Sequence, residues 1–241
     1  MLILITIITV VFNGAKDIEK TILSVIKQKR VRPNLTIEYI VIDGCSNDGL
    51  IDIIGKYDSH ITKWISEPDR GIYDAMNKGL SLAQESYILF LGAGDEIISL
   101  PDESLFIDKN IAIFGDVIMA NKLFKSNISK GLKMGNSLHH QALLIHKSVI
   151  PTSGFNLNYK VYADYDLNIR LFNEGVKFIR SNKMLSKQLQ GGLSSKTHAL
   201  ELVDVIKNNF GLYWASRMLI YCLAVQLKQI LLMENITVRW N

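Results

Sequence analysis

The sequence predicts an α/β fold: a mixed, mainly parallel sheet flanked by helices, followed by a C-terminal helical extension. Three observations carry this. Strand-like and helix-like segments alternate through the first hundred residues. The strand-like segments are continuous apolar runs, as expected of strands covered on both faces. The unusual polar residues Asn13, Asp43, Glu67, Asp69 and Asp95 fall where such runs end, and ligands of these sheets bind at the carboxyl ends of the strands.

The elements follow in order. Residues 2–12 are apolar throughout and stop at Asn13-Gly14. They lack a basic leader and a small-residue cleavage site, so they read as a strand rather than a signal peptide. Residues 15–28 place Ile18, Ile22, Val25 and Ile26 at helical spacing. Residues 37–42 form a second run rich in β-branched residues, ended by Asp43-Gly44, and Ser46-Asn47-Asp48-Gly49 offers caps for a helix reaching Tyr57. A short strand over 61–65 leads into a polar loop and a helix over 74–84; 87–91 is a buried strand. Beyond Leu100 the pattern loosens, with strands over 111–119, 141–145 and 176–179 and a helix over 165–173. Residues 210–233 read as one long helix. Its interspersed Arg217, Gln226, Lys228 and Gln229 disqualify it as a membrane span. Two readings stand for it: an amphipathic helix lying on a membrane, or a helix docked on the core or on a second subunit.

At 241 residues, 48% of them hydrophobic and 21% charged, the chain has the makings of one sizeable folded core. Two cysteines exclude a disulfide scaffold and fit a reducing compartment. The net charge of +4 does not mark a nucleic-acid partner, but it is unevenly spread. Lys177, Arg180, Lys183, Lys187 and Lys196 lie in a stretch without a single acid, which suits a diphosphate or a lipid headgroup.

The densest chemistry sits in Ser66-Glu67-Pro68-Asp69-Arg70-Gly71-Ile72-Tyr73-Asp74-Ala75-Met76-Asn77-Lys78-Gly79. Core packing does not ask for such a mixture at a loop-to-helix junction. The stretch resembles the signature of bacterial family 2 glycosyltransferases, GT-A fold enzymes of the colanic-acid, O-antigen and capsule biosynthesis type. Further motifs resemble that family in its order: Thr9-Val10-Val11-Phe12-Asn13, Asp43-Gly44-Cys45-Ser46-Asn47-Asp48-Gly49, Phe90-Leu91-Gly92-Ala93-Gly94-Asp95, His140-Gln141 and Ala163-Asp164-Tyr165. The likeness runs over residues 3–195, and implies a GT-A domain over 1–195 and a helical extension over 196–241.

The resemblance implies an inverting enzyme that moves a sugar from a nucleoside-diphosphate sugar, UDP-sugar favoured, to a lipid-linked saccharide. It implies a cytoplasmic protein, peripheral at the inner face of the cytoplasmic membrane, and no nucleic acid. Donor contacts would fall to Thr9, Val11, Asn13, Asp43, Glu67, Asp69, Arg70, Asp74, Asn77 and Gly94. Asp48 reads as a cap of the helix that follows it, and Lys78 as a surface residue. Asp95 would hold Mg²⁺ or Mn²⁺, with Glu96 as its substitute; glycines at 92 and 94 stand where family members carry acids or Asn. Asp164 would be the general base, in a motif whose Glu is Ala163 here. His140 and Gln141 would lie toward the acceptor, one of the two adjacent histidines facing the site and the other away. Residues 190–195, resembling a GGxS segment, would close over the diphosphate or serve only as a linker to the C-terminal helices. The missing acid keeps an alternative open: a non-catalytic, nucleotide-sugar-binding partner subunit. A nucleotidyltransferase is less consistent, since Asn13-Gly14-Ala15-Lys16 makes a poor phosphate loop.

Overall fold

A computed structural model describes residues 3–128, 130–189 and 198–237. Its nine-stranded sheet comprises β1 (Ile3–Val11), β2 (Leu35–Asp43), β3 (Lys63–Ser66), β4 (Tyr87–Gly92), β5 (Glu96–Ser99), β6 (Ile111–Met119), β7 (Lys122–Phe124), β8 (Leu143–His146) and β9 (Lys177–Lys187). The order is β3-β2-β1-β4-β8-β6-β9-β5, with β7 added on β6. The first four strands are parallel, β8 runs antiparallel to β4 and β6, and β9 runs parallel to β6. The mixed, mainly parallel sheet is therefore as the sequence predicts.

The continuous apolar strands are explained by helices on both faces. Along β1, Ile5 and Ile7 join the core beneath α1 (Ala15–Val31) and α2 (Leu50–Lys56). Ile8 and Val10 join the core beneath α3 (Ile72–Leu82) and α4 (Ala163–Asn173). On α1 the four apolar residues at helical spacing are all buried. The sequence motifs led to a helix cap at Asp48 for α2, but Asp48 Oδ2 accepts from Ala15 N at 2.9 Å and so caps α1. α2 instead begins at Gly49, whose φ of 87° is left-handed.

The second half shows what periodicity missed. β5, β7 and α5 (Ala199–Phe210) lack a pattern strong enough to announce them, and β9 extends eight residues past its predicted end at Ile179. The pairing of β9 with β6 shifts register between Phe114 and Asp116, and Gly115 leaves room for Met184 there: a Cβ on Gly115 would stand 2.1 Å from Met184 O. The helix expected over 210–233 is observed as α6 (Leu212–Thr237), which Gly211 separates from α5. These helices are no loose appendage. Val205, Ile206, Met218 and Cys222 share one buried cluster with residues of α3 and α4. The expected boundary after residue 195 lies outside the described residues, as do the Gly-rich 190–195 and Lys196.

Three members of the basic stretch have acidic partners from elsewhere in the fold. Arg180 binds both oxygens of Asp116 at 2.7 Å, Lys183 meets Asp102 at 2.8 Å and Lys187 meets Glu96 at 3.2 Å. The expectation of an anionic partner at these three residues is corrected accordingly. Among the described residues no helix is long and apolar enough to cross a membrane.

α3 packs on β1 at its closest where Gly79 faces Ile8; a Cβ on Gly79 would lie 2.4 Å from Ile8 Cγ2. Gly79→Ala is therefore expected to destabilise the protein by about 1–3 kcal/mol, as overpacking does. Urea unfolding checks this: Ile8→Ala, which removes the obstructing Cγ2, should cost less in the Gly79→Ala background than in wild type.

Candidate active site

The parallel strands end level with one another. Val11 pairs in register with Asp43, and Val10 with Gly92. The turns after β1, β2 and β4 therefore surface together, at the point where strand order reverses. Short bonds fix them: Gly44 N donates to Val11 O at 2.9 Å, Asn13 N to Ser46 Oγ at 2.7 Å and Asn47 N to Asn13 Oδ1 at 3.1 Å. Asn13 needs this latch, since it holds φ 51°, where a side chain is tolerated best if it is Asn.

The expected donor residues divide in this geometry. Thr9 is fully buried and takes the Tyr39 hydroxyl at 3.1 Å, and Val11 packs in the core; neither side chain reaches the crevice. Asp43 is also fully buried, bonded by Ser46 Oγ at 2.5 Å, Ser66 Oγ at 2.6 Å and Ser46 N at 3.1 Å. It ties the ends of β2 and β3 to the loop between them. The Phe12 ring, by contrast, lies open beside Gly44 at the end of β1, and Asp69 Oδ2 approaches the same glycine. An exposed aromatic at a strand end was the available signal for Phe12.

The signature loop is organised by Lys78. Its ammonium meets Asp69 at 2.6 Å, Glu67 at 2.9 Å and Pro68 O at 2.8 Å. Partial burial opposes the charged form, but the two carboxylates outweigh it and hold the Lys78 pKa above its usual value. Lys78 is thus a structural knot and not the plain surface residue its sequence position suggests. Asp74 accepts from Arg70 N at 3.0 Å and Arg70 Nη2 at 3.1 Å, bonds that lower its pKa. The Arg70 side chain is otherwise 79% exposed. Asn77 is occupied: its amide donates to Phe155 O at 3.0 Å and accepts from Phe155 N at 2.8 Å, clamping α3 to the 154–155 turn. The sugar contact expected of Asn77 is replaced by this clamp.

Asp95 stands in the turn between β4 and β5. Oδ2 accepts from Gly92 N at 2.8 Å and Oδ1 from Leu189 N at 3.0 Å. Gly94, at φ 92°, lets Leu189 cover the turn; a Cβ there would meet Leu189 at 2.5 Å. Burial pushes the Asp95 pKa up, while His140, the two backbone donors and Gln141 pull it down less strongly. Glu96 points to the other face of β5 and pairs with Lys187, which rules it out as the substitute ligand. Gln141, in the 3-10 turn His140–Ala142, is buried, and its Oε1 has no hydrogen-bond partner among the described residues.

Asp164 opens α4. Tyr165 N donates to its Oδ1 at 2.7 Å, and the Tyr73 hydroxyl lies 3.2 Å from the same oxygen. Oδ2 accepts from Asn136 Nδ2 at 3.2 Å and faces His140 Nδ1 at 3.4 Å. Burial, then the Asp164 charge, keep the Tyr73 hydroxyl protonated by raising its pKa far up. Asn168 Nδ2 in turn holds Asn136 Oδ1 at 3.2 Å. Asp166, by contrast, is taken by Arg170 Nε at 2.9 Å, as its i+4 spacing predicts. Asn136 and Asn168 escaped the sequence analysis: a buried Asn in mid-helix was a signal, whereas nothing around Asn136 singled it out. His140 faces Asp164 while His139 stacks edge-on against Phe124 with centroids 4.6 Å apart. The adjacent pair His140-Gln141 thus connects Asp164 to Asp95.

A divalent ion needs several oxygen ligands. Among the described residues no three His, Cys, Asp or Glu side chains stand together. The residues present therefore fit an ion that Asp95 anchors and that draws its other ligands largely from substrate phosphates and water.

Residues 6–109 match the model of "Glycosyl transferase family 2". A Mycobacterium tuberculosis "PGL/p-HBAD biosynthesis glycosyltransferase" is 33% identical over 149 residues, covering 56% of this chain and 58% of the relative. A putative teichuronic acid biosynthesis glycosyltransferase of Bacillus subtilis is 36% identical over 96 residues, covering 39% of this chain and 36% of that one. The chain thus spans little more than half the length of the mycobacterial relative. Among solved structures, S. aureus TarS in complex with UDP-GlcNAc superposes with a TM-score of 0.64 at 16% identity, over 85% of this chain and 66% of that one. A mannosyltransferase from Pyrobaculum calidifontis, in complex with GDP-Man and Mn²⁺, gives 0.59 at 14% identity, over 91% and 75%. Residues 6–109 are thus similar to family 2 glycosyltransferases, and the fold is GT-A-like.

Burial lowers the pKa of both His139 and His146 below 6.5. The folded state therefore binds fewer protons than the unfolded chain between those lowered values and 6.5, so stability falls as pH drops through that window. Thermal melts at pH 7.5 and 5.5 should show a lower melting temperature at pH 5.5, and His146→Gln should shrink the difference.

Proposed function

We propose that this domain transfers one sugar from a nucleoside-diphosphate sugar, UDP-sugar favoured, to a saccharide acceptor during assembly of a cell-surface polysaccharide or glycolipid, with inversion at the anomeric carbon. The observation that carries the reading is the placement of Asp164. It opens α4, is held by Tyr165 N and Asn136 Nδ2 with the Tyr73 hydroxyl 3.2 Å away, and is joined through His140-Gln141 to Asp95. The names of the mycobacterial and Bacillus relatives support a cell-surface glycan as product, and the UDP-GlcNAc complex of the TarS neighbour supports a nucleotide-sugar donor.

The reaction divides among this chain's residues. The open Phe12 ring offers a face for the base, and Asp69 and the backbone at Gly44 line the crevice beside it. Asp43 contributes by fixing the loop that carries these groups. Asp164 accepts the proton of the acceptor hydroxyl as its oxygen attacks the anomeric carbon. The bond from that carbon to the diphosphate breaks with inversion, and the electron pair leaves with the nucleoside diphosphate. Tyr73 and Asn136 hold the carboxylate in place for in-line attack, where orientation supplies much of the acceleration. Mg²⁺ or Mn²⁺, held at Asp95, would neutralise charge on the departing diphosphate. Arg70, exposed on the signature loop, would have to leave its ion pair with Asp74 to reach it.

We further propose that the acceptor is lipid-linked and that α6 lies on the cytoplasmic face of the membrane. α6 turns Ala215, Met218 and Cys222 to the core while Leu219, Ile220, Leu223 and Leu227 face outward at helical spacing. Arg217 stacks over Tyr213 and Trp214 beside that face.

The decisive assay measures nucleoside diphosphate release from UDP-, GDP- and dTDP-sugars with Mn²⁺, Mg²⁺ or EDTA. One donor should be hydrolysed slowly, and EDTA or Asp95→Ala should abolish this. With a saccharide acceptor, Asp164→Asn should lower turnover by about 10²–10⁴-fold, the usual worth of a general base. Donor binding with no turnover of any donor, with or without acceptor, would leave the non-catalytic partner as the better reading. Ile220→Asp with Leu223→Asp should abolish flotation with anionic vesicles and leave soluble donor hydrolysis unchanged; unaltered flotation would remove the membrane role.

A further inference from the structure

Four buried side-chain atoms have no hydrogen-bond partner among the described residues: Glu38 Oε1, Asp69 Oδ1, Ser126 Oγ and Gln141 Oε1. The first two face lysine ammonium groups, at 3.7 Å from Lys63 and 2.6 Å from Lys78. Ser126 is a hydroxyl on the strap bound by Asp116 and Arg180. Gln141 Oε1 differs from all three. It is an amide carbonyl of a residue only 2% exposed, with neither a cation nor a donor against it among the described residues, and its side chain neighbours Asp95. Its position is fixed from two sides. Ser186 Oγ donates to Gln141 O at 2.5 Å, and three residues farther along the same chain segment Leu189 N donates to Asp95 Oδ1. The amide itself hydrogen-bonds the Asp95 carboxylate. An amide with its N–H₂ spent on a carboxylate and its carbonyl unpaired is half satisfied, an arrangement that costs free energy in a buried site.

We infer that Gln141 is a metal ligand: its Oε1 supplies a second protein oxygen to the divalent ion anchored by Asp95. This rests on the metal-dependent reading proposed above and goes beyond it. The chemistry suits a hard cation, which accepts amide carbonyls alongside carboxylates. It also accounts for Gly92 and Gly94, positions with no side chain to contribute. The missing oxygen comes from a neighbouring turn instead of from the same one. A neutral ligand leaves the site one negative charge poorer than a pair of acids. The ion should accordingly bind weakly alone and firmly only when diphosphate oxygens complete its shell.

The test titrates the full-length chain with Mn²⁺ in the presence and absence of UDP, reading free Mn²⁺ by its electron paramagnetic resonance signal. Wild type should bind Mn²⁺ much more tightly with UDP than without. Gln141→Met, apolar and of similar size, should weaken Mn²⁺ binding with UDP by at least about tenfold, the low end of what loss of a supporting group costs a metal site. Gln141→Glu should bind at least as tightly as wild type. Its melting temperature, lowered without metal by two adjoining carboxylates, should rise more on adding Mn²⁺ than that of wild type; this second readout decides the matter if Gln141→Met fails to fold. Wild-type affinity in Gln141→Met, with binding lost in Asp95→Ala, would overturn the role of Gln141 and leave the Asp95 reading intact. Mn²⁺ binding that survives Asp95→Ala would overturn both.

Discussion

The register of β1 between β2 and β4 is the constraint on which the site depends. Because Val11, Asp43 and Gly92 end level across three parallel strands, their turns emerge in one crevice and bond to one another there. A slip of one residue would turn every side chain of β1 to the opposite face. It would exchange the core residues Ile5 and Ile7 for Ile8 and Val10 and send Asn13 away from Ser46. Burial of both faces therefore fixes the register, and the register places the polar turns. Thr9 and Val11 show the consequence. As side chains they belong to the core, and only their strand carries the residues beyond them to the crevice.

The acidic residues of the crevice are not equivalent, and their partners show why. Asp43 is saturated by serine and backbone donors and holds loops together. Asp74 serves its own helix through Arg70. Asp95 is buried, and desolvation raises its pKa more than His140, two backbone donors and Gln141 lower it. A buried carboxylate short of a counter-charge is a place for a cation to act. Asp164 receives neutral donors at both oxygens, an arrangement that orients a carboxylate without burying a salt bridge against it.

The C-terminal helices contribute to this arrangement from behind. Glu201 on α5 accepts from Val161 N and Tyr162 N at 2.7 Å each, securing the chain as it enters α4 just ahead of Asp164. Asn209 on the same helix donates to Asp166 at 2.9 Å. What sequence reading sets apart as an extension is thus part of the scaffold of the base, and its outer apolar face is what remains free.

The sequence by itself determined the fold class, because continuous apolar runs alternating with helical periodicity leave few alternatives to a parallel sheet covered on both faces. It also placed the polar turns at strand ends and singled out Asp95 and Asp164, whose motifs are local and contiguous. Tertiary structure decided what each charge does. Asp48 is adjacent in sequence to α2 yet caps α1, 33 residues away from it at Ala15. The basic run at the end of β9 is neutralised by acids drawn from Asp102, Asp116 and Glu96. Asn136 reaches Asp164 across 28 residues with no local pattern to mark it. Periodicity reports which face of an element is buried; it carries no information about which distant turn supplies a hydrogen-bond partner, and that pairing is set only when the elements pack.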